Sequence, residues 1–262
     1  MNIPLDEILF RGYFVPFLLI MFRMLAFFSV APLFSASGFP NQGKITLAAI
    51  LSLIILFLRG TSQTPVDLDL WAIAGIATGE ILIGLVLGFM VGLLFAAMQL
   101  AGFIMGYQMG FAIANVLDPV GGQQNSVLGQ FFFLFGLLTF LDVNGHHLVI
   151  LGMVESYDIV PIGSASANLA LVDFMGILFQ NYFFLAIKLA LPVLGIILMI
   201  DVSLGIVART VPQMNVFLIG MPLKTLVGIA TLLISFSFLH QLMKMEVYSM
   251  VRDFYSMIRG MV

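Results

Sequence analysis

Six long apolar stretches fill most of the chain, at roughly 13–34, 45–58, 71–111, 127–141, 174–200 and 216–239. A water-soluble domain lacks the polar sequence to coat that much apolar surface, and here 61% of residues are hydrophobic and only 9% are charged. Such a chain lies against lipid or is sheathed by partner subunits. A helical crossing of the hydrocarbon core takes ~20 apolar residues. The stretches at 45–58 and 127–141 fall short and fit tilted, partly shielded or re-entrant helices. The stretch at 71–111 would reach ~60 Å as one helix, so it predicts either two helices or one that leaves the bilayer plane. An interruption at that depth needs protein or water to satisfy its backbone. The period is helical throughout, unlike the short alternating segments of a membrane β-barrel. The expected fold class is therefore an all-α membrane protein.

Several function classes fall away on composition. There is no cysteine, which excludes disulfides and thiol chemistry. The net charge of −3, without a basic tract, argues against nucleic acid. No nucleophile elbow, Walker run or dinucleotide fingerprint occurs. Asp6 and Glu7 stand where a cleaved signal would be basic, and the following apolar run is too long for one, so the first stretch reads as retained. Basic residues are scattered (Arg11, Lys44, Arg59, Arg209, Lys224, Lys244, Arg252, Arg259). The positive-inside rule favours either the loop after Arg209 or the tail as cytoplasmic, and the two ends of one hairpin span cannot both be.

Polar breaks fall at 35–44, 60–69, 120–126, 155–168 and 209–215. They divide the chain into a multi-helix part, 1–165, and a helical hairpin, 166–262, that turns at Pro212. Glycines recur at helical spacing at Gly75, Gly79, Gly84, Gly88, Gly92, Gly102, Gly106 and Gly110. Small residues on one helix face let backbones approach closely. The ladder therefore predicts close packing, equally between subunits or within the chain, with Gly79, Gly84, Gly88, Gly102 and Gly106 the candidates. It leads into a segment, 107–119, that mixes Tyr107, Gln108, Met109, Gly110, Phe111, Asn115, Asp118 and Pro119. Unpaired polar groups are expensive in lipid, whereas a segment lining or closing a watery passage tolerates them. The plain alternative for Asp118-Pro119 is a turn that ends a helix.

Arg23, Glu80, Lys188 and Asp201 interrupt apolar runs. Each costs ~2.5–3.5 kcal/mol at a helix centre and should face protein, water or an opposite charge. Two structural ion pairs, or snorkelling, explain them more simply than a proton relay does. Glu80, beside Gly79 on the ladder, is the best of the four for a subunit contact. Asp142, His146 and His147 lack metal-ligand spacing and belong at a helix end, with Asn144-Gly145 as a turn. The seventeen methionines fill irregular cores or offer an adaptable contact surface.

The hairpin carries the most specific string, with Asp201, Gly205, Arg209, Pro212-Gln213, Asn215-Val216, Gly220, Pro222 and Lys224. Together with Arg23, Ala31-Pro32, Pro40, Lys44, Gly79-Glu80 and the glycines leading to Asp118-Pro119, it resembles the FliR/SpaR/YscT family of type III export-gate proteins over nearly the whole length. The resemblance implies a non-enzymatic, cofactor-free subunit of the bacterial inner membrane within the flagellar basal body. In that family one copy joins FliP and FliQ, with FlhB and FlhA nearby, to pass unfolded flagellar proteins. It implies that 1–165 is FliP-like and 166–262 FliQ-like, and that the assembly rises above the bilayer on the extracytoplasmic side. It also implies a plug at 107–119, with Phe111 the stopper, and a cytoplasm-facing loop near FlhB around Arg209, Pro212, Gln213, Asn215 and Lys224. Two rivals stand beside it. One is a secondary transporter using Glu80, Asp201 and Lys188, and the other is the equivalent gate of a virulence system.

Overall fold

Where the sequence is apolar at helical period, the chain is helix. The computed structural model describes residues 10–35, 40–59, 70–111, 126–164, 169–213 and 215–260. A π-helical turn at Phe10–Phe14 runs into α1 (Val15–Val30), with a proline in the first turn of α1. Ala31 is extended because Pro32 follows it, and this ends α1. The short α2 (Pro32–Ser35), α3 (Asn41–Arg59) and α4 (Leu70–Gln108) follow. Next come α5 (Val127–Asp142) and α6 (Gly145–Ile159), then α7 (Leu169–Thr210) and α8 (Val216–Arg259). No strand occurs among the described residues. The chain is an all-α membrane protein.

Local sequence sets the helix ends. The Ser126 hydroxyl accepts from the Gly129 N–H at 3.1 Å and caps α5. Asn144, at φ 55°, takes the left-handed turn between α5 and α6, which bend by 69° and form either a broken span or a re-entrant pair. Among the described residues five further segments are long and apolar enough to cross a membrane: Gly12–Val30, Asn41–Leu58, Trp71–Gln108, Asp173–Thr210 and Leu218–Arg259.

Of the two options for the 71–111 stretch, the single helix is found. At 39 residues α4 is ~58 Å long. The hairpin helices run further than their apolar stretches, with 42 residues (~63 Å) in α7 and 44 (~66 Å) in α8. Each is about twice the ~30 Å hydrocarbon thickness. The connector expected at 155–168 is shorter, because Glu155 to Ile159 belong to α6.

Two compact units build up from these helices, neither a continuous stretch of chain. The first comprises Met1–Leu93, Asn144–Leu178 and Tyr248–Val262. In it α1 packs on α3 and α4 around Leu19, Met24, Phe27, Phe28 and Leu87, and Phe254 of α8 seats against Gly152 of α6. The second comprises Leu94–Val143 and Phe179–Val247. In it Phe95 packs edge-on to Phe140 at 5.4 Å. Matched positions join α5 to α8: Phe135 meets Phe236 at 4.5 Å, Thr139 hydrogen-bonds His240 Nδ1 at 3.2 Å, and Asp142 pairs with Lys244 at 2.7 Å. Composition and resemblance divide the chain at 165; these packing units cut it elsewhere.

Candidate functional site

Arg23 lies on α1 and Glu80 on α4, both wholly buried in the first unit. Arg23 Nε donates to Glu80 Oε2 at 2.6 Å, Nη1 to Ser156 Oγ at 3.0 Å and Nη2 to the Val160 carbonyl at 3.1 Å. The guanidinium carbon sits 4.0 Å from the Tyr157 ring centroid. Glu80 Oε1 accepts the Gly163 N–H at 3.1 Å. One cation thus ties α1, α4, the end of α6 and the chain that follows it. A charge enclosed this way is held by its partners, since breaking a buried pair leaves an uncompensated ion. Water has no access to either side chain, which suits a structural pair and not a relay. Glu80, expected at a subunit contact, is instead spent inside the chain.

The glycine ladder divides by environment. A Cβ on Gly84 would lie 2.9 Å from Ala26 Cβ, and one on Gly88 2.8 Å from the Phe27 carbonyl oxygen. On Gly102 it would meet Gly129 Cα at 2.8 Å, and on Gly106 Ser126 Oγ at 3.1 Å. All four seat another helix of the same chain, so of the two packing readings the intrachain one describes them. Gly79 is half-buried. Gly75 has nothing within 4 Å.

The ladder ends where the 107–119 segment begins. The Phe111 N–H bonds the Gly106 carbonyl at 3.0 Å and the Gly110 N–H bonds the Tyr107 carbonyl at 3.1 Å. Gly110 stands at φ 91°. This paired closure with a left-handed glycine is the Schellman C-cap. Tyr107, Gln108 and Phe111 are exposed, and Met109 is buried against α8. Thr225 Oγ1 donates to the Met109 carbonyl at 2.8 Å. Asn115, Asp118 and Pro119 lie outside the described residues.

At the hairpin, Arg209, Pro212 and Gln213 are exposed, and Asn215 Oδ1 accepts the Leu218 N–H at 3.2 Å, capping α8. Lys224 of α8 forms an ion pair with Asp201 of α7. Of the four charges read as interrupting apolar runs, the structure therefore pairs two with each other and gives Asp201 a partner from outside that set. Lys188 is exposed on α7 with no ion-pair partner among the described residues. Outward-facing apolar side chains run along both hairpin helices, Leu198 and Ile206 on α7 and Leu226 and Ile234 on α8 among them. Sequence reasoning missed Ser156, Tyr157, Thr225 and Gly228. None breaks an apolar run, and only the fold brings them to their partners.

A sequence profile for bacterial export proteins, family 1, matches residues 14–250. The flagellar biosynthetic protein FliR of Bacillus subtilis is 36% identical over 227 residues, covering 86% of this chain and 87% of the relative. The proteins of the same name from Pectobacterium carotovorum and Escherichia coli are each 33% identical, covering 84% and 83% of this chain and 82% and 81% of their own lengths.

Proposed function

This chain belongs to the bacterial export proteins, family 1, and from that membership we propose how its parts serve export. It is a subunit of the flagellar type III export gate, a membrane protein of the flagellar apparatus. The transporter and virulence readings are not favoured, since the relatives above carry the flagellar name.

In the proposed arrangement the chain joins FliP and FliQ copies, with 1–165 in a FliP-like role and 166–262 in a FliQ-like one. FlhB and FlhA act beside it, and part of the assembly stands on the extracytoplasmic side. One observation carries this reading. α4, α7 and α8 are about twice as long as the hydrocarbon is thick, while α7 and α8 keep apolar side chains outward, with Ile234 86% exposed. Lipid cannot cover such helices over their full length, which supports sibling protein as their cover.

The contribution is steric and dielectric, without catalysis or nucleotide. Residues 107–119 form the plug, and Tyr107 and Phe111 offer exposed rings at its start. The exposed turn around Arg209, Pro212, Gln213 and Asn215, with Lys224 further along α8, faces the cytoplasm near FlhB. Deleting 107–119 in cells that assemble the gate tests the plug. Ion leak should rise while assembly persists, and unchanged leak removes the assignment.

A further inference from the structure

The start of the plug segment is not left to its own conformation. Met109, the last residue before the left-handed Gly110, is 0% exposed. Its carbonyl receives the Thr225 hydroxyl at 2.8 Å, which also lies 3.0 Å from the Met221 carbonyl. One turn along α8, Gly228 makes room for it, since a Cβ there would lie 2.7 Å from Met109 Cγ and 2.8 Å from Met109 Cε. The neighbouring Lys224 is the residue that pairs with Asp201 of α7. A single stretch of α8, nine residues (~14 Å) from the helix start at Val216, thus grips the other hairpin helix and the end of α4.

We propose that Thr225 and Gly228 are positioning residues for export: they seat the end of α4, up to Phe111, on the hairpin, so that a movement of the hairpin is carried to that end. The inference rests on the plug reading above. The chemistry suits a reversible seat. A neutral side-chain-to-backbone hydrogen bond nets ~0.5–1.5 kcal/mol, strong enough to bias a position and weak enough to be released. The Schellman closure keeps the helix end intact meanwhile, so what moves is the contact with α8 and not the turn itself.

Thr225→Val keeps the β-branch and volume and removes the donor; Thr225→Ser keeps the donor. In the assembled gate, Thr225→Val should raise ion leak by about 2- to 13-fold, the range that one lost hydrogen bond allows. Thr225→Ser should stay near the parent, with gate abundance equal in both. A second readout does not depend on export. The chain has no cysteine, so Phe111→Cys supplies the only thiol in this subunit, and its maleimide labelling rate should rise by a similar factor when Thr225→Val is added. If Thr225→Val prevents assembly, Gly228→Ala, which displaces the Met109 side chain, replaces it with the same expected rise. Equal labelling for the Val, Ser and parent forms overturns the seat. Should the 107–119 deletion fail to leak while labelling still responds, the plug reading falls and the seat stands.

Discussion

Replacing Glu80 by methionine takes the paired carboxylate off a buried arginine. The geometry gives the size of the effect. Arg23 would keep Ser156 Oγ and the Val160 carbonyl but lose its 2.6 Å ion pair, and breaking one side of a buried pair costs ~3–5 kcal/mol. Arg23→Met strands Glu80 with only the Gly163 N–H, at a similar cost. The double variant carries no charge. Ser156 stays bonded to the Met153 carbonyl, so two backbone groups, the Val160 carbonyl and the Gly163 N–H, lose partners at ~1–3 kcal/mol each. At mid-range the single variants sum to about 8 kcal/mol and the double costs about 4. The expected coupling is thus about 4 kcal/mol, and apolar packing of the two methionines enlarges it. Denaturant titration of the purified chain in mild detergent, read as a double-mutant cycle, measures this. A double variant as unstable as the sum of the singles would refute the claim that the two charges exist for each other, and so would a Glu80→Met protein as stable as its parent.

Two further outcomes follow from particular residues. Gly84→Ala forces a methyl against α1 and should lose ~1–3 kcal/mol by overpacking, whereas Gly75→Ala, facing open space in the same helix, should gain ~0.5–1 kcal/mol from helix propensity; denaturation of the two variants side by side checks the contrast. The Asp142–Lys244 pair, 56% and 37% exposed, should contribute no more than ~1 kcal/mol, so Lys244→Met should leave stability within that margin of the parent.

Much of the fold was legible because hydropathy and helical period act locally. α7 ends at Thr210 and α8 begins at Val216, so the hairpin turns near Pro212 as the sequence predicts; the break expected at 60–69 lies outside the described residues, and the family resemblance fixed the functional class. What stayed hidden was non-local or needed a different criterion. An apolar run stops at the first charges, so the last stretch ended near 239, yet residues 240–259 include four Met, two Arg, Lys244 and Glu246, which propagate a helix well. The ladder glycines look alike on paper, and only their neighbours distinguish the crowded Gly84 from the open Gly75. Arg23 gave no hint that its contacts sit at Glu80, Ser156 and Val160. Thr225 was invisible because a hydroxyl in a helix ordinarily bonds its own backbone.

The far-flung partners of Arg23 also set a timetable for biogenesis. Arg23 leaves the ribosome 57 residues before Glu80 and 133 before Ser156. At ~5–20 residues per second its counter-ion is missing for about 3–11 s, and for that interval a lone cation in the hydrocarbon would cost the nascent segment ~2.5–3.5 kcal/mol. The first helix therefore has reason to linger at the translocon until the fourth arrives to neutralise it, and the two settle as a unit although they were synthesised seconds apart.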